Sequence, residues 1–293
     1  VRKFDSAEDK KPEELITDKN NGLVIECIKW LIKGCRVTAV TGFQGTGKTT
    51  LLMSIVRFIN ETFTLRIQEM AFELHLRKLY PKRNIVSFRE TSTVSGQEGL
   101  DLQKKTDGTV NILGEVATAP VASWMIQMAQ VASLFTIFTH HAKTSSDLVL
   151  ALRNNLLQTR VFSNEKVAEK QVADVVNFDI HMCRDITGHR YIERITEIIP
   201  VSQDIEYPSN YKDGETLEEI MRNFADTAKE YFTRVTDRKT FEVKNIIEWD
   251  NGEYKAANPM SKSTYQRICE HLNQQEREQF SAFLKENWGV LYE

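Results

Sequence analysis

The chain has 293 residues, 41% of them hydrophobic, which is enough for one large domain or two ordinary ones around a real core. A net charge of −3 with no long basic block argues against a dedicated nucleic-acid binder, and no direct nucleic-acid binding is expected. Four cysteines, at 27, 35, 183 and 269, form no CxxC pair, so the spacing suggests neither a disulfide scaffold nor a zinc site and fits a reducing cytoplasm.

The chain opens on a charged, polar stretch with Pro12 rather than on an apolar signal, and residues 1–20 read as a linker ending in the turn-prone Asp18 to Gly22. Leu23 to Ile32 predicts an amphipathic helix. Arg36 to Thr41 then reads as a short β-branched strand, and Lys48 to Asn60 as a helix with Leu51, Leu52, Ile55, Val56 and Ile59 at helical spacing. Between them lies Gly42-Phe43-Gln44-Gly45-Thr46-Gly47-Lys48-Thr49, a complete GxxxxGKT phosphate loop in its proper strand–loop–helix context.

The loop's chemistry follows from its residue types. Glycines at 42, 45 and 47 let backbone N–H groups, through Gln44 and Thr46, close on phosphate oxygens without a Cβ in the way, while the helix beginning near Lys48 aims its positive end at the same anion. Lys48 is expected on the β/γ-phosphates, the Thr49 hydroxyl on Mg²⁺, and Thr50 beside them at the helix start. Nucleotide binding, with ATP and Mg²⁺ as the expected ligands, is the firmest reading of the sequence.

Further strands are expected at Leu65 to Ile67, Ile85 to Phe88, Val110 to Leu113 and Phe135 to Thr139, with helices between them, notably Val121 to Ala132 and Ser146 to Leu157. This alternation predicts an α/β domain with a mainly parallel sheet covered on both sides. Val116 to Phe138 carries no charge, yet Pro120, Ser123, Gln127, Gln130 and Ser133 interrupt it, so it reads as a buried helix and strand rather than a membrane span.

Val176, Phe178, Ile180 and Met182 alternate with Asn177, Asp179 and His181, and a turn through Asp185 to Gly188 leads into Tyr191 to Ile199, predicting a hairpin with one wet face. A boundary is expected near 205, giving a domain over 21–205 and a mixed α/β accessory region over 206–293. In that region Thr216 and Glu219 predict a capping box opening a helix with Leu217, Ile220, Met221, Phe224, Ala228 and Tyr231 on one side. Phe241 to Trp249, Asn251-Gly252 and Tyr254 predict a second hairpin, and Ser261 to Leu272 and Glu276 to Trp288 follow.

Hydrolysis needs a group that polarises water at the end of a buried strand beside the loop strand. Val110 to Leu113 runs into Gly114-Glu115, making Glu115 the expected base, and it and Glu69 are candidates to meet Mg²⁺ through water. By spacing alone, Glu69 and Glu73 read as an exposed helix face. His140 and His141 end a strand where a side chain can sense the γ-phosphate; adjacent strand residues face opposite ways, so the pair is not read as a zinc site.

Four boxes in this order, GFQGTGKTTLL, QEMAFEL, ILGEV and THHA, resemble the secretion ATPase superfamily. These are the traffic ATPases of type II and type IV secretion and pilus assembly, and the likeness is nearest to the tight-adherence and conjugation branches. The resemblance covers roughly residues 1–200 and implies a RecA-like P-loop NTPase fold, with Glu69 as acidic-box carboxylate, Glu115 as catalytic Glu and His141 as histidine-box residue. It also implies a hexameric ring, a membrane platform protein and pilus or secretion subunits as partners, and a peripheral place at the inner face of the cell membrane. Val1 to Phe4 look like the point where the family's N-terminal domain ends, so the resemblance implies that this chain lacks that domain.

Three positions depart from the pattern: Ala117 stands where the family has Arg, Ala132-Ser133 where it has Gly-His, and Lys104-Lys105 where it has Leu-Arg. Lost basic groups would remove charge compensation in the transition state. The sequence reading is therefore an ATP-hydrolysing motor for pilus assembly or type IV secretion, with a hydrolysis-deficient regulatory subunit as first alternative and a small-molecule kinase as second.

Overall fold

The computed structural model describes residues 10–69, 74–89, 91, 93, 96–103, 105–131, 133–201, 212–237 and 240–292. In chain order the elements are α1 (Pro12–Leu15), α2 (Asn21–Lys33), β1 (Thr38–Gly42), α3 (Lys48–Ile55, continued by a 3-10 turn Val56–Phe58), β2 (Leu65–Glu69), α4 (Leu76–Leu79), β3 (Ile85–Arg89), α5 (Gly96–Gln103), β4 (Val110–Leu113) and α6 (Ala119–Val131). They continue with β5 (Phe135–His140), α7 (Ser145–Gln158), α8 (Glu165–Val175), β6 (Phe178–Arg184), β7 (Arg190–Pro200), α9 (Leu217–Asp237), β8 (Phe241–Asp250), β9 (Glu253–Ala256), α10 (Lys262–Cys269) and α11 (Gln274–Trp288).

The strands join in one nine-stranded sheet of order β3-β2-β4-β5-β1-β6-β7-β8-β9. From β3 to β6 every neighbouring pair is parallel; β6 with β7, and β8 with β9, are antiparallel. β1, β2, β4 and β5 are buried along their whole length, as central parallel strands covered on both faces must be. The expected α/β class with a mainly parallel sheet is the observed one.

Local chemistry explains most element ends. α7 starts where the Thr144 hydroxyl accepts the Asp147 N–H at 3.0 Å, and α11 where Asn273 and Glu276 close a reciprocal capping box. β1 starts later than expected: the Arg36 N–H is bonded to the Leu31 carbonyl at 3.0 Å and the Val37 N–H to Asn177 Oδ1 at 3.1 Å, so neither donates to a neighbouring strand's ladder. α8 was not anticipated: its N-cap is Asn164, whose side chain accepts from Lys166 and Val167, and its buried face is Ala168, Val172, Ala173 and Val175.

Two expectations change. The hairpin face carrying Asp179 and His181 is not wet: both residues are buried, Asp179 against the hydroxyls of Thr41 and of Ser145 at the start of α7, and His181 against Thr41. Residues 243–293 also do not form a region with 206–242. One compact unit comprises residues 1–199 and 243–293, and a second comprises 200–242. The reason lies in the first unit, where β8 and β9 extend the sheet and Phe280 of α11, fully buried, lies 5.5 Å from the Trp30 ring of α2. Within the second unit, α9 opens on the expected capping box: Thr216 Oγ1 accepts the Glu219 N–H at 3.2 Å and Glu219 accepts the Thr216 N–H at 3.1 Å. Lys104, Ala132 and Glu73, singled out above, lie outside the described residues.

The Trp30–Phe280 contact can be tested by stability. Phe280→Ala should cost about 3–5 kcal/mol and lower the main denaturation transition of the chain, because it opens a cavity in the core of the larger unit. A separate early transition with the main one unmoved would show that α11 is not part of that core.

Candidate functional site

The carboxyl ends of the parallel strands bring the candidate residues to one edge of the sheet, where ligands bind in open α/β sheets. β1 ends at Gly42, in register with Met182 of β6, while its neighbour Thr41 pairs with His140 of β5 and His181 of β6. Gly42 has φ +135°, and a Cβ there would sit 2.2 Å from the Met182 carbonyl oxygen, so only glycine lets β1 leave the sheet at this point. Gly45 and Gly47 also have positive φ, and around Gly45 a Cβ would meet open space. Thr46 is buried and its hydroxyl donates to the Phe43 carbonyl at 2.9 Å, closing the loop on itself, while Phe43, Gln44 and Gly45 are exposed.

α3 begins at Lys48, and the Leu51 N–H is bonded to Gly47 O at 2.9 Å. The N–H groups of Lys48, Thr49 and Thr50 precede that first turn and have no acceptor within the helix, which is what makes a helix start an anion seat. Lys48 is nearly buried and bends over the loop: its Nζ donates to Gly42 O at 3.0 Å and to Phe43 O at 2.9 Å.

Lys48 is the first member of a chain of contacts. Its Nζ lies 3.3 Å from His141 Nδ1, and His141 Nε2 lies 3.2 Å from Glu115 Oε1. With Nε2–H donating to the carboxylate, the neutral ring offers its Nδ1 lone pair to Lys48; a protonated ring would instead donate from Nδ1 to Gly42 O, 3.1 Å away. Two backbone-level clamps hold Glu115 and His141 side by side: Thr139 Oγ1 donates to Gly114 O at 2.5 Å, and the Val116 N–H donates to Thr139 O at 3.0 Å. His140 faces the other way, its Nδ1 2.7 Å from Val116 O, and burial pushes its pKa below the ordinary imidazole value. The two histidines thus point to opposite faces, as neighbours on a strand do.

Glu69 ends β2 and is buried rather than exposed, the reverse of what its spacing suggested. Its Oε2 accepts the Leu74 N–H at 3.0 Å. Gly114 packs against it so closely that a Cβ at 114 would lie 3.2 Å from Glu69 Cβ. Glu69 therefore flanks the Gly114-Glu115 turn, while Glu115, His141 and Lys48 touch in sequence.

Two features had no sequence signal. Arg190, at the start of β7, donates from Nε to Gly45 O at 3.1 Å, and a Cβ on Gly47 would come within 3.3 Å of its Cδ. This places a guanidinium on the phosphate loop from a hairpin far along the chain, and only the pairing of Arg190 with Arg184 reveals it. Beneath the loop, Asp179 accepts the hydroxyls of Thr41 at 2.6 Å and Ser145 at 2.7 Å, and Thr41 Oγ1 lies 2.8 Å from His181 Nδ1. Burial raises the Asp179 pKa, whereas burial followed by the charges of Arg194 and Lys48 pushes that of His181 down to about 4.

Oxygen donors suit Mg²⁺, and the groups at this edge that could hold one are the Thr49 hydroxyl at the helix start and, through water, the Glu69 and Glu115 carboxylates. The exposed glycine loop leaves room for the phosphates that such an ion accompanies.

No family model matches the chain, and no curated protein matches it. Among solved structures it is similar to the VirB11 ATPase from the Brucella suis type IV secretion system in complex with sulphate, at 22% identity and TM-score 0.53, covering 64% of this chain and 56% of that one. It is also similar to the Legionella pneumophila ATPase DotB, at 13% identity and TM-score 0.51, covering 96% of this chain and 68% of that one. A third similar structure is the pilus retraction motor PilT with bound ADP, at 14% identity and TM-score 0.50, covering 94% of this chain and 70% of that one. The fold is that of the RecA-like P-loop ATPases. The chain spans little more than half the length of the VirB11 structure.

The close approach at Gly42 makes a direct test of the loop's geometry. Gly42→Ala should destabilise the chain by about 2 kcal/mol or more in chemical denaturation, since it adds a clash with Met182 O to a strained φ. A change within about 0.5 kcal/mol, the range of ordinary surface substitutions, would mean the β1–β6 exit is not as tight as described.

Proposed function

We propose that this chain is the nucleotide-hydrolysing motor part of a traffic ATPase that drives pilus assembly or type IV secretion. The observation that carries this reading is the contact chain Lys48–His141–Glu115, which joins residues from three separate sequence boxes at the phosphate loop. The likeness of fold to VirB11, DotB and PilT supports it.

In this mechanism Lys48 swings from the Gly42 and Phe43 carbonyls onto the β/γ-phosphates, exchanging two neutral acceptors for anionic ones and forming the stronger charge-assisted bonds. The loop amides from Gly42 to Thr49, with Gln44, Gly45, Thr46 and Gly47 between, cradle the phosphates, and Thr50 completes the helix start. The Thr49 hydroxyl would hold a Mg²⁺ ion, which when bound would supply positive charge against the phosphoryl oxygens. Glu115, half-exposed and freed from His141 as Lys48 moves, orients and polarises the attacking water, and His141 reports the occupancy of the γ-position back to Lys48. Glu69, buried beside Gly114, would help to hold that ion through water. Arg190 supplies a guanidinium next to the loop, in partial compensation for Ala117.

Ring assembly as a hexamer, with a membrane platform protein and pilus or secretion subunits as partners, belongs to the same proposal. So does a cytoplasmic, peripheral place at the inner face of the membrane. Among the described residues no helix is long and apolar enough to cross a membrane. Loss of the γ-phosphate contacts on hydrolysis would release the elements they order and turn chemistry into movement.

Phosphate release by the assembled chain tests the reading. Glu115→Gln should lower turnover by about 10²–10⁴-fold while leaving binding of a fluorescent nucleotide intact, and Lys48→Ala should abolish that binding. No turnover in the unmodified assembly would favour the regulatory-subunit alternative, and phosphate delivered to a small-molecule acceptor would favour the kinase. Arg190→Ala should lower kcat/KM by about 10-fold, as loss of one charge-assisted contact in the transition state, and Arg190→Lys should recover part of it. An unchanged kcat/KM would remove Arg190 from the site.

A further inference from the structure

The β6–β7 hairpin contains a β-bulge: Met182 pairs with Ile192 and His181 with Arg194, so Glu193 is the extra residue on β7. A bulge turns its extra side chain out of strict alternation. Here it places the Glu193 carboxylate with His181 and Cys183, which are two apart on β6 and therefore share a face. One donor atom from each of His181, Cys183 and Glu193 lies within 4.8 Å of the other two, and His181 Nε2 is 4.0 Å from Glu193 Oε2.

The orientation of the histidine is set from behind. The single hydrogen of the Thr41 hydroxyl is spent on Asp179 Oδ1 at 2.6 Å, while Ser145 fills Asp179 Oδ2 at 2.7 Å. Thr41 Oγ1 must then accept from His181 Nδ1–H at 2.8 Å, which leaves the lone pair of the neutral ring on Nε2, facing Cys183 and Glu193. A ring whose far N–H is held by a carboxylate-backed partner is the arrangement that orients metal-ligating histidines.

From this geometry we propose that His181 Nε2, Cys183 Sγ and a Glu193 carboxylate oxygen form a binding site for a divalent transition metal of the zinc class, one residue beneath the phosphate loop. Mixed nitrogen, sulfur and oxygen donors select such an ion over Mg²⁺, which takes oxygen alone. Bonds of about 2.0–2.3 Å in a tetrahedral site put ligand atoms about 3.3–3.7 Å apart, so the trio contracts by about 1.5 Å at most. On binding, the Cys183 proton leaves to solvent, and thiolate and carboxylate together balance the charge of the ion. Arg194, which now ion-pairs with Glu193, retains its bond from Nη2 to Lys143 O at 2.7 Å. Three protein ligands leave a fourth position open. The hairpin separates these donors by ten residues in sequence from His181–Cys183 to Glu193, so no ligand motif is visible along the chain.

The test loads the full chain with Zn²⁺, removes excess by dialysis and measures metal per chain by elemental analysis, without nucleotide and independently of any hydrolysis. One zinc per chain is expected, falling at least tenfold in Cys183→Ser and in Glu193→Gln with circular dichroism unchanged. Co²⁺ in place of Zn²⁺ should give a thiolate-to-metal charge-transfer band in the unmodified chain, a readout that stands even if a variant fails to fold. Zinc well below one per chain, zinc retained in full by both variants, or bound Co²⁺ without that band would each overturn the site.

Discussion

The exit of β1 from the sheet at Gly42 is the constraint on which the site depends. The strand is held on both sides, by β5 and by β6, up to the residue where the chain must turn away to form the phosphate loop. The Met182 carbonyl occupies the space a side chain would need there, so the backbone leaves in a conformation open to glycine. The loop that follows is therefore positioned by the rigid middle of the sheet and not by its own flexible contacts. Lys48 is anchored at the start of α3 and folds back over the same peptide, so strand end, loop and helix start form one rigid unit.

Parallel strands make the rest of the site by ending together. β2 delivers Glu69, β4 runs into Gly114-Glu115, and β5 runs into His140-His141, each at its carboxyl end and each next to a strand that pairs with it in register. Small hydrogen bonds between these ends, such as Thr139 to Gly114, cost little but decide which acidic group meets which histidine. The antiparallel β7 then brings Arg190 back onto the loop from the far side of the hairpin. A buried network of Thr41, Asp179, Ser145 and His181 lies directly beneath, where each polar group is satisfied by another.

The sequence made much of this legible, for physical reasons. The phosphate loop could be read because its chemistry is local: glycines, Lys48 and Thr49 act within a few residues of one another. Glu115 was singled out because the strand Val110–Leu113, buried in the structure as expected, runs into it through Gly114. Glu69 was misjudged by spacing, since its environment is made by Gly114 and Leu74 and not by its helical neighbours; only the resemblance to a family marked it. Asp179 and His181 alternate with apolar residues as a solvated face would, and nothing along the chain says that Thr41 and Ser145 meet them there. Arg190 and the bulge at Glu193 depend on hairpin register, which residue type alone does not specify. The accessory region was divided wrongly for the same reason, because the contact between Phe280 and Trp30 spans most of the chain.

The proposed nucleotide seat is tested most directly by a crystal structure of the chain with Mg²⁺ and a non-hydrolysable ATP analogue. The account predicts Lys48 Nζ on the β- and γ-phosphate oxygens, the Thr49 hydroxyl on the metal, and Glu115 within hydrogen-bond reach of a water in line with the γ-phosphorus. An analogue seated away from residues 42–49, or Lys48 still on the Gly42 and Phe43 carbonyls with Glu115 turned from the phosphate, would contradict it.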